Sequence, residues 1–268
     1  MSSRARRLPE GVELVSVQLQ HGPVCAACAG SGTPVVLLHQ TPRSWDEYRD
    51  VLPLLAARGH RAIAFDTPGF GDSAPLPGGA SIVRWSETLH AALDELGVER
   101  AAFVGHHTGG VIAVELAAQR PERVSALVLS STPLTDAAYR DTPPDESGVD
   151  AAQDADGLRR SRAHFYPDDR ADLLDRYVAD ALRALPRALD GHRAVGEYAM
   201  EAAIAHLTMP VLLVGADADP YAYPQLARMR AALTHAEVHE IRGGMVPLPD
   251  GWPKVFAAAV ADFLERVR

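Results

Sequence analysis

Eight consecutive residues, Phe103-Val104-Gly105-His106-His107-Thr108-Gly109-Gly110, carry an apolar strand straight into a helix with no loop between them. So abrupt a reversal leaves no space for side chains where the incoming and outgoing backbones touch, and Gly105 and Gly109 stand at those two places. The residue they bracket, His107, is lifted to the apex of the turn. Such a unit requires strands and helices in adjoining layers, so this short segment constrains the fold class more than any other feature.

The rest of the chain agrees. Val12 to Gln20 and Val24 to Ala29 read as two strands across a His21-Gly22-Pro23 turn, followed by an apolar run from Val35 to His39. Helical patterns over Trp45 to Ala57, Ile82 to Leu96 and Gly109 to Gln119 then alternate with apolar runs at Ala62 to Phe65, Ala102 to Val104 and Ala126 to Leu129. The runs lack two-residue alternation, as expected of a mostly parallel sheet buried on both faces by helices. From Ser131 to His206 the rhythm changes: Thr142-Pro143-Pro144-Asp145 breaks the chain and helical patches follow near 149–164, 171–184 and 188–203. Alternation resumes with a strand at Pro210 to Gly215, a helix at Gln225 to Leu233, a strand at Val238 to Ile241 and a helix at Val255 to Val267. The expected organisation is an α/β core of residues 1–131 and 207–268 with a helical insertion, 132–206, roofing one edge of the sheet. Ligands of parallel sheets sit at the carboxyl ends of the strands, below such a roof.

At 268 residues the chain is long enough to bury a full core, and a formal charge of −9 argues against nucleic acid or a membrane surface as partner. The basic start, Met1 to Arg7, lacks the apolar stretch of a secretory signal, and two cysteines make no disulfide framework; a cytoplasmic location is expected. Cys25 and Cys28 form a C-x-x-C without a helix start or a second ligand pair, so they read as strand residues pointing to opposite faces and packing in the core. His235 and His239 are four apart but fall on a strand, and no phosphate loop, dinucleotide fingerprint or metal-ligand spacing is present. No cofactor and no metal are expected; the partner is a small molecule, and oligomeric state is not encoded in these features.

The segment around His107 has the strand-turn-helix context of a nucleophile elbow. There the chain resembles the α/β-hydrolase family, and within it the epoxide-hydrolase and haloalkane-dehalogenase branch, whose elbow reads G-H-D-W-G-G where this chain has G-H-H-T-G-G. His39-Gln40-Thr41-Pro42 is similar to the family's H-G-x-P oxyanion loop, Asp66-Thr67-Pro68-Gly69-Phe70-Gly71-Asp72-Ser73 to its D-x-P-G-x-G-x-S turn, and Gly215-Ala216-Asp217-Ala218-Asp219-Pro220 to its acid loop. The resemblance implies an α/β-hydrolase fold with a helical cap. It also implies catalytic positions at His107 and Asp219, with Asp217 competing for the acid role, and oxyanion-hole N–H groups on Thr41 and Thr108.

Two positions depart from the family pattern. His107 replaces the usual Ser, Asp or Cys nucleophile, and in Arg242-Gly243-Gly244-Met245-Val246-Pro247 a methionine stands where the family places its catalytic histidine. A thioether cannot relay a proton at neutral pH, which rules out an ordinary Ser-His-Asp triad. The His107 ring is expected to enter the vacated space and approach Asp219 as a two-member base, or to act as a nucleophile. Gln40, in place of the loop glycine, narrows the hole or aims its amide at the ligand. His39, His106, Met245, Trp45 and Tyr139 are further pocket or support residues, and His164, Tyr166 and Tyr198 are placed to reach down from the cap. Asp66 and Asp72 read as turn-holding carboxylates. The function expected is an enzyme acting on a small to medium, mostly apolar ester, lactone, epoxide or carbonyl compound. A lyase, decarboxylase or cyclase on the same fold, and a ligand-binding relative without turnover, are the alternatives.

Overall fold

The computed structural model describes residues 8–141 and 154–268. Strands β1 (Val12–Leu19) and β2 (Gly22–Ala29) form the opening hairpin, with Val12 opposite Ala29. Then follow β3 (Thr33–Leu38), α1 (Val51–Ala57), β4 (His60–Phe65), α2 (Ile82–Glu95), β5 (Ala101–His106), α3 (Thr108–Gln119) and β6 (Val124–Ser130). Next come helices α4 (Ala137–Arg140), α5 (Ala155–Arg162), α6 (Ala171–Glu197) and α7 (Met200–Ile204), and among the described residues no strand interrupts them. The chain closes with β7 (Val211–Ala216), α8 (Tyr223–Ala232), β8 (Glu237–Ile241), α9 (Leu248–Gly251) and α10 (Pro253–Arg266).

The eight strands make one sheet in the order β1-β2-β4-β3-β5-β6-β7-β8. β2 pairs antiparallel with β1 and β4, and every other neighbouring pair is parallel. Val36, Ile63, Phe65, Phe103, Leu127 and Leu213 face a cluster with Trp85, Leu89 and Val111 from α2 and α3. Leu37, Ala64, Val104, Val128 and Val214 point the other way, onto Leu52 and Leu55 of α1 and Phe256 and Phe263 of α10. Burial on both sides explains the unbroken apolar strands, and the parallel pairing brings the carboxyl ends of β3, β5 and β7 to one edge of the sheet, β6 lying between the last two, where Gln40–Thr41, His107 and Asp219 emerge.

Two local expectations need correction. The single helix anticipated over Trp45 to Ala57 is a 3-10 turn, Trp45–Tyr48, followed by the separate α1. The Ser44 hydroxyl caps the Asp46 N–H at 3.3 Å, and Asp46 is held in buried ion pairs with Arg43 and Arg176, so side-chain bonds set a tighter turn there. The patches anticipated at 171–184 and 188–203 divide differently: one 27-residue helix, α6, runs through both as far as Glu197, and the separate α7 begins at Met200. Contacts from Arg176, Asp180 and Gly191 along this length tie α6 to the loop after β3. The break expected at 142–145 and the start of the 149–164 patch lie outside the described residues. No helix among the described residues is long and apolar enough to cross a membrane.

Candidate active site

His107 caps α3 with φ 46° and ψ −115°, a strained conformation for a residue with a side chain, costing on the order of 1–3 kcal/mol. Packing enforces it. A Cβ on Gly105 would overlap the Gly109 carbonyl, and one on Gly109 would overlap the carbonyl of Leu38, so β5, α3 and β3 meet backbone to backbone. The His107 N–H is tied to the Ser130 carbonyl at 3.0 Å, while the His107 carbonyl accepts from Gly110 N–H at 2.9 Å.

From this apex the imidazole reaches the acid loop after β7, with Nε2 3.1 Å from Asp219 Oδ2. The His107 side chain is 18% exposed and that of Asp219 is fully buried. The other carboxylate oxygen, Oδ1, accepts the N–H groups of Tyr221 at 2.9 Å and Ala222 at 3.0 Å. Burial alone would raise the Asp219 pKa, but the charge and hydrogen bond of His107 and these two N–H groups outweigh it, bringing the group down to about 2. An anionic Asp219 accepts the Nε2 proton, which leaves the lone pair of a neutral His107 on Nδ1. Asp217, the competitor, instead accepts from Gly243 N–H at 2.6 Å and braces the loop after β8.

The Thr41 N–H donates to the Thr108 hydroxyl at 3.3 Å, so the two residues carrying the anticipated oxyanion donors touch each other. Thr108 opens α3, where a backbone N–H has no partner within the helix. Gln40 turns away from the ligand side: its Nε2 donates to Glu47 Oε1 at 2.6 Å and its N–H to Oε2 at 2.9 Å. Burial pushes the Glu47 carboxyl up to about 8 against the pull of Arg43.

The neighbouring histidines are neutral supports. His39 Nε2 accepts from Thr67 N–H at 3.0 Å, so its proton is on Nδ1, 2.8 Å from the Gln40 carbonyl. Burial takes its pKa down to about 4. His106 donates from Nε2 to the Val246 carbonyl at 2.8 Å and its Nδ1 accepts from the Ser130 hydroxyl at 3.0 Å. Burial, and next to it the charge of His107, take its pKa to about 3.

Other anticipated residues lie in packing positions. Met245 is half-buried beside Val246, Phe165 and Tyr166. Trp45 is buried with Tyr48 and Leu52 in the α1 face of the core, its ring 5.2 Å from the Arg49 guanidinium. Tyr139 packs against the α2 and α3 face. Tyr166 is buried, Tyr198 donates to Glu115 at 2.5 Å, and the exposed His164 lies 3.8 Å from the Phe165 ring. Asp66 accepts from Trp45 N–H at 2.7 Å and Asp72 N–H at 2.8 Å, holding its turn, and Asp72 pairs with Arg183 at the surface. Cys28 packs in the core and Cys25 points the other way, its thiol 3.4 Å from the Asp72 carbonyl. Among the described residues no cluster of His, Cys, Asp or Glu could hold a metal ion.

Sequence reasoning missed a buried charge cluster beside the loop after β3. Arg43 Nε bonds Asp180 of α6 at 3.1 Å and its Nη1 bonds Asp250 of α9. Arg176 of α6 bonds Asp46 at 3.0 Å, Asp50 at 3.0 Å and Asp250 at 3.1 Å. Partners 137 and 207 residues away leave no local spacing to find.

Comparison with known proteins identifies the family. The model of the alpha/beta hydrolase fold matches residues 33–189, more than half of the chain, and the chain belongs to that family. Bifunctional epoxide hydrolase 2 of Rattus norvegicus is 37% identical over 110 residues, which are 39% of this chain and 19% of that protein. Epoxide hydrolase 3 of Siraitia grosvenorii is 37% identical over 119 residues, 44% of this chain and 38% of that protein. The matches thus span less than two fifths of either relative, and they fall on the epoxide-hydrolase side of the family. In fold, the crystal structure of bromoperoxidase from Bacillus anthracis superposes with a TM-score of 0.78 at 22% identity, covering 94% of this chain and 100% of that one.

Proposed function

We propose that the protein is an enzyme in which His107, oriented by Asp219, is a general base acting through Nδ1 on a small to medium, mostly apolar substrate. The oxygen of an ester, lactone or epoxide takes the place of the Thr108 hydroxyl on the Thr41 N–H, lying against that group and the Thr108 N–H, and residues 132–206 cap the core above it. The observation that carries this reading is the 3.1 Å contact between Nε2 and Asp219, which fixes the tautomer and frees Nδ1. Nδ1 is flanked by the side chain's own Cβ, which hinders bond formation to a carbon centre but not uptake of a proton, so the base role is favoured over the nucleophile role.

In hydrolysis of an ester, Nδ1 takes a proton from water as the water oxygen bonds to the carbonyl carbon and the carbonyl oxygen becomes an oxyanion held by the two N–H groups. The protonated ring then returns that proton to the departing alkoxide as the C–O bond breaks. With an epoxide the same base activates the water that opens the ring. A substrate carrying an acidic C–H beside its carbonyl would give elimination or cyclisation by the same proton transfer, and product analysis distinguishes the two. Both cysteines are unpaired thiols, which favours a reducing compartment such as the cytoplasm.

The test is turnover of a panel of esters, lactones, epoxides and β-hydroxy carbonyl compounds by the protein and by His107→Ala, read by mass spectrometry. Turnover that drops a hundredfold or more in a folded His107→Ala supports the reading. Equal turnover by both, or binding of panel compounds with no product from either, overturns it.

A further inference from the structure

Resting on the reading of Thr41 as an oxyanion donor, we propose that Asp180, on the inserted helix α6, is a positioning residue: through Arg43 and Ser44 it fixes the direction of the Thr41 N–H. The insertion is then a working part of the oxyanion site.

Thr41 sits in a loop held at both ends. On its amino side, the Glu47 carboxylate takes both Gln40 N–H donors, and the Gln40 carbonyl accepts from His39 Nδ1 and from Arg43 N–H, each at 2.8 Å. On its carboxyl side the anchor is Asp180. One of its oxygens, Oδ2, accepts from Arg43 Nε at 3.1 Å and from the Ser44 hydroxyl at 2.9 Å, so two consecutive loop residues hang on a single atom of α6.

Arg43 is fully buried and Asp180 is 3% exposed, so no water compensates if this contact is lost. Among the described residues, Nη2 of Arg43 has no hydrogen-bond acceptor, its ion pair with Asp46 lying at 3.8 Å. A buried guanidinium deprived of another acceptor would pull the loop toward solvent, and Thr41 would move with it.

The same face of α6 reaches Thr41 directly. Gly191, about three turns beyond Asp180, approaches so closely that a Cβ there would lie 2.5 Å from Thr41 Oγ1 and 2.8 Å from its methyl carbon. Arg176, one turn before Asp180, bonds Asp46 and Asp50 beyond the loop. Helix and loop are therefore joined before, beside and over the oxyanion donor.

The experiment compares wild type with Asp180→Asn, Ser44→Ala and, on the exposed side of α6, Leu182→Ala. The readouts are the exchange rate of the Thr41 amide by NMR, and kcat and KM for 4-nitrophenyl butyrate. Asp180→Asn is expected to raise Thr41 exchange tenfold or more and to lower kcat about tenfold with KM within twofold. Ser44→Ala should do both to a smaller extent, and Leu182→Ala neither. A folded Asp180→Asn whose Thr41 exchange and chemical shift match wild type overturns the assignment. If Asp180→Asn does not fold, Ser44→Ala decides by the same exchange rate. Turnover that survives His107→Ala overturns the reading of the site, and with it the role of Asp180 in it. Unchanged Thr41 exchange overturns the assignment of Asp180 alone.

Discussion

The imidazole of His106 stands perpendicular to that of His107, at 88° with the ring centroids 4.7 Å apart. Adjacent in sequence, the two rings differ in setting: His106 is buried and doubly hydrogen-bonded, while His107 is partly exposed and, among the described residues, has a hydrogen-bond partner on Nε2 alone.

His106 should leave a signature in the pH dependence of stability. Its folded pKa lies near 3 against about 6.5 when unfolded, so between those values the unfolded chain binds a proton that the folded chain refuses. That contribution is constant above pH 6.5 and turns against the fold as pH falls. Urea unfolding of wild type should lose about 1.4 kcal/mol per pH unit more than His106→Asn between pH 6 and pH 4. Parallel curves for the two proteins would show that His106 is not held neutral.

Asp219→Asn tests the other ring. The amide preserves the shape but removes the charge that holds the proton on Nε2. With any ester that wild type turns over, kcat is expected to fall by about 10²–10⁴ with KM little changed. A loss confined to KM would place Asp219 in substrate binding instead.

The elbow glycines are expected to be intolerant. Gly105→Ala and Gly109→Ala each drive a Cβ into backbone rather than a movable side chain, and each should cost about 3 kcal/mol or more in denaturant unfolding. A cost below 1 kcal/mol would mean that β5 and α3 are less tightly joined than the structure shows.

Neither cysteine should behave as a reactive thiol. Burial raises the pKa of Cys25 and takes that of Cys28 to about 11, so both remain protonated at pH 8. Ellman's reagent should label the folded protein slowly and report two thiols promptly once the chain is unfolded. Fast labelling of the native protein would contradict the burial of Cys28.

Much of the fold was legible because its signals are local: unbroken apolar strands, helical periods, and glycines at the elbow. His107 and Asp219 were legible for a related reason, since each is presented by a short loop at a strand end with its own sequence pattern. What could not be read depends on contacts distant in sequence. The orientation of Gln40 is decided by Glu47, seven residues on and inside an unforeseen turn. The continuity of α6 goes with packing partners distant in sequence. The role of Arg43 depends on carboxylates that only the folded chain brings to it.

The anchoring of His107 through Nε2 has a geometric outcome for any molecule that meets it. The outer nitrogen of the ring is turned toward the acid loop, and the nitrogen left free is the inner one, close to the main chain and to the start of α3. A base acting through that nitrogen would work close to the backbone of the elbow rather than from the tip of the ring. A compound would have to bring its labile hydrogen, or a single intervening water, close to that backbone, which favours slender reacting ends over branched ones.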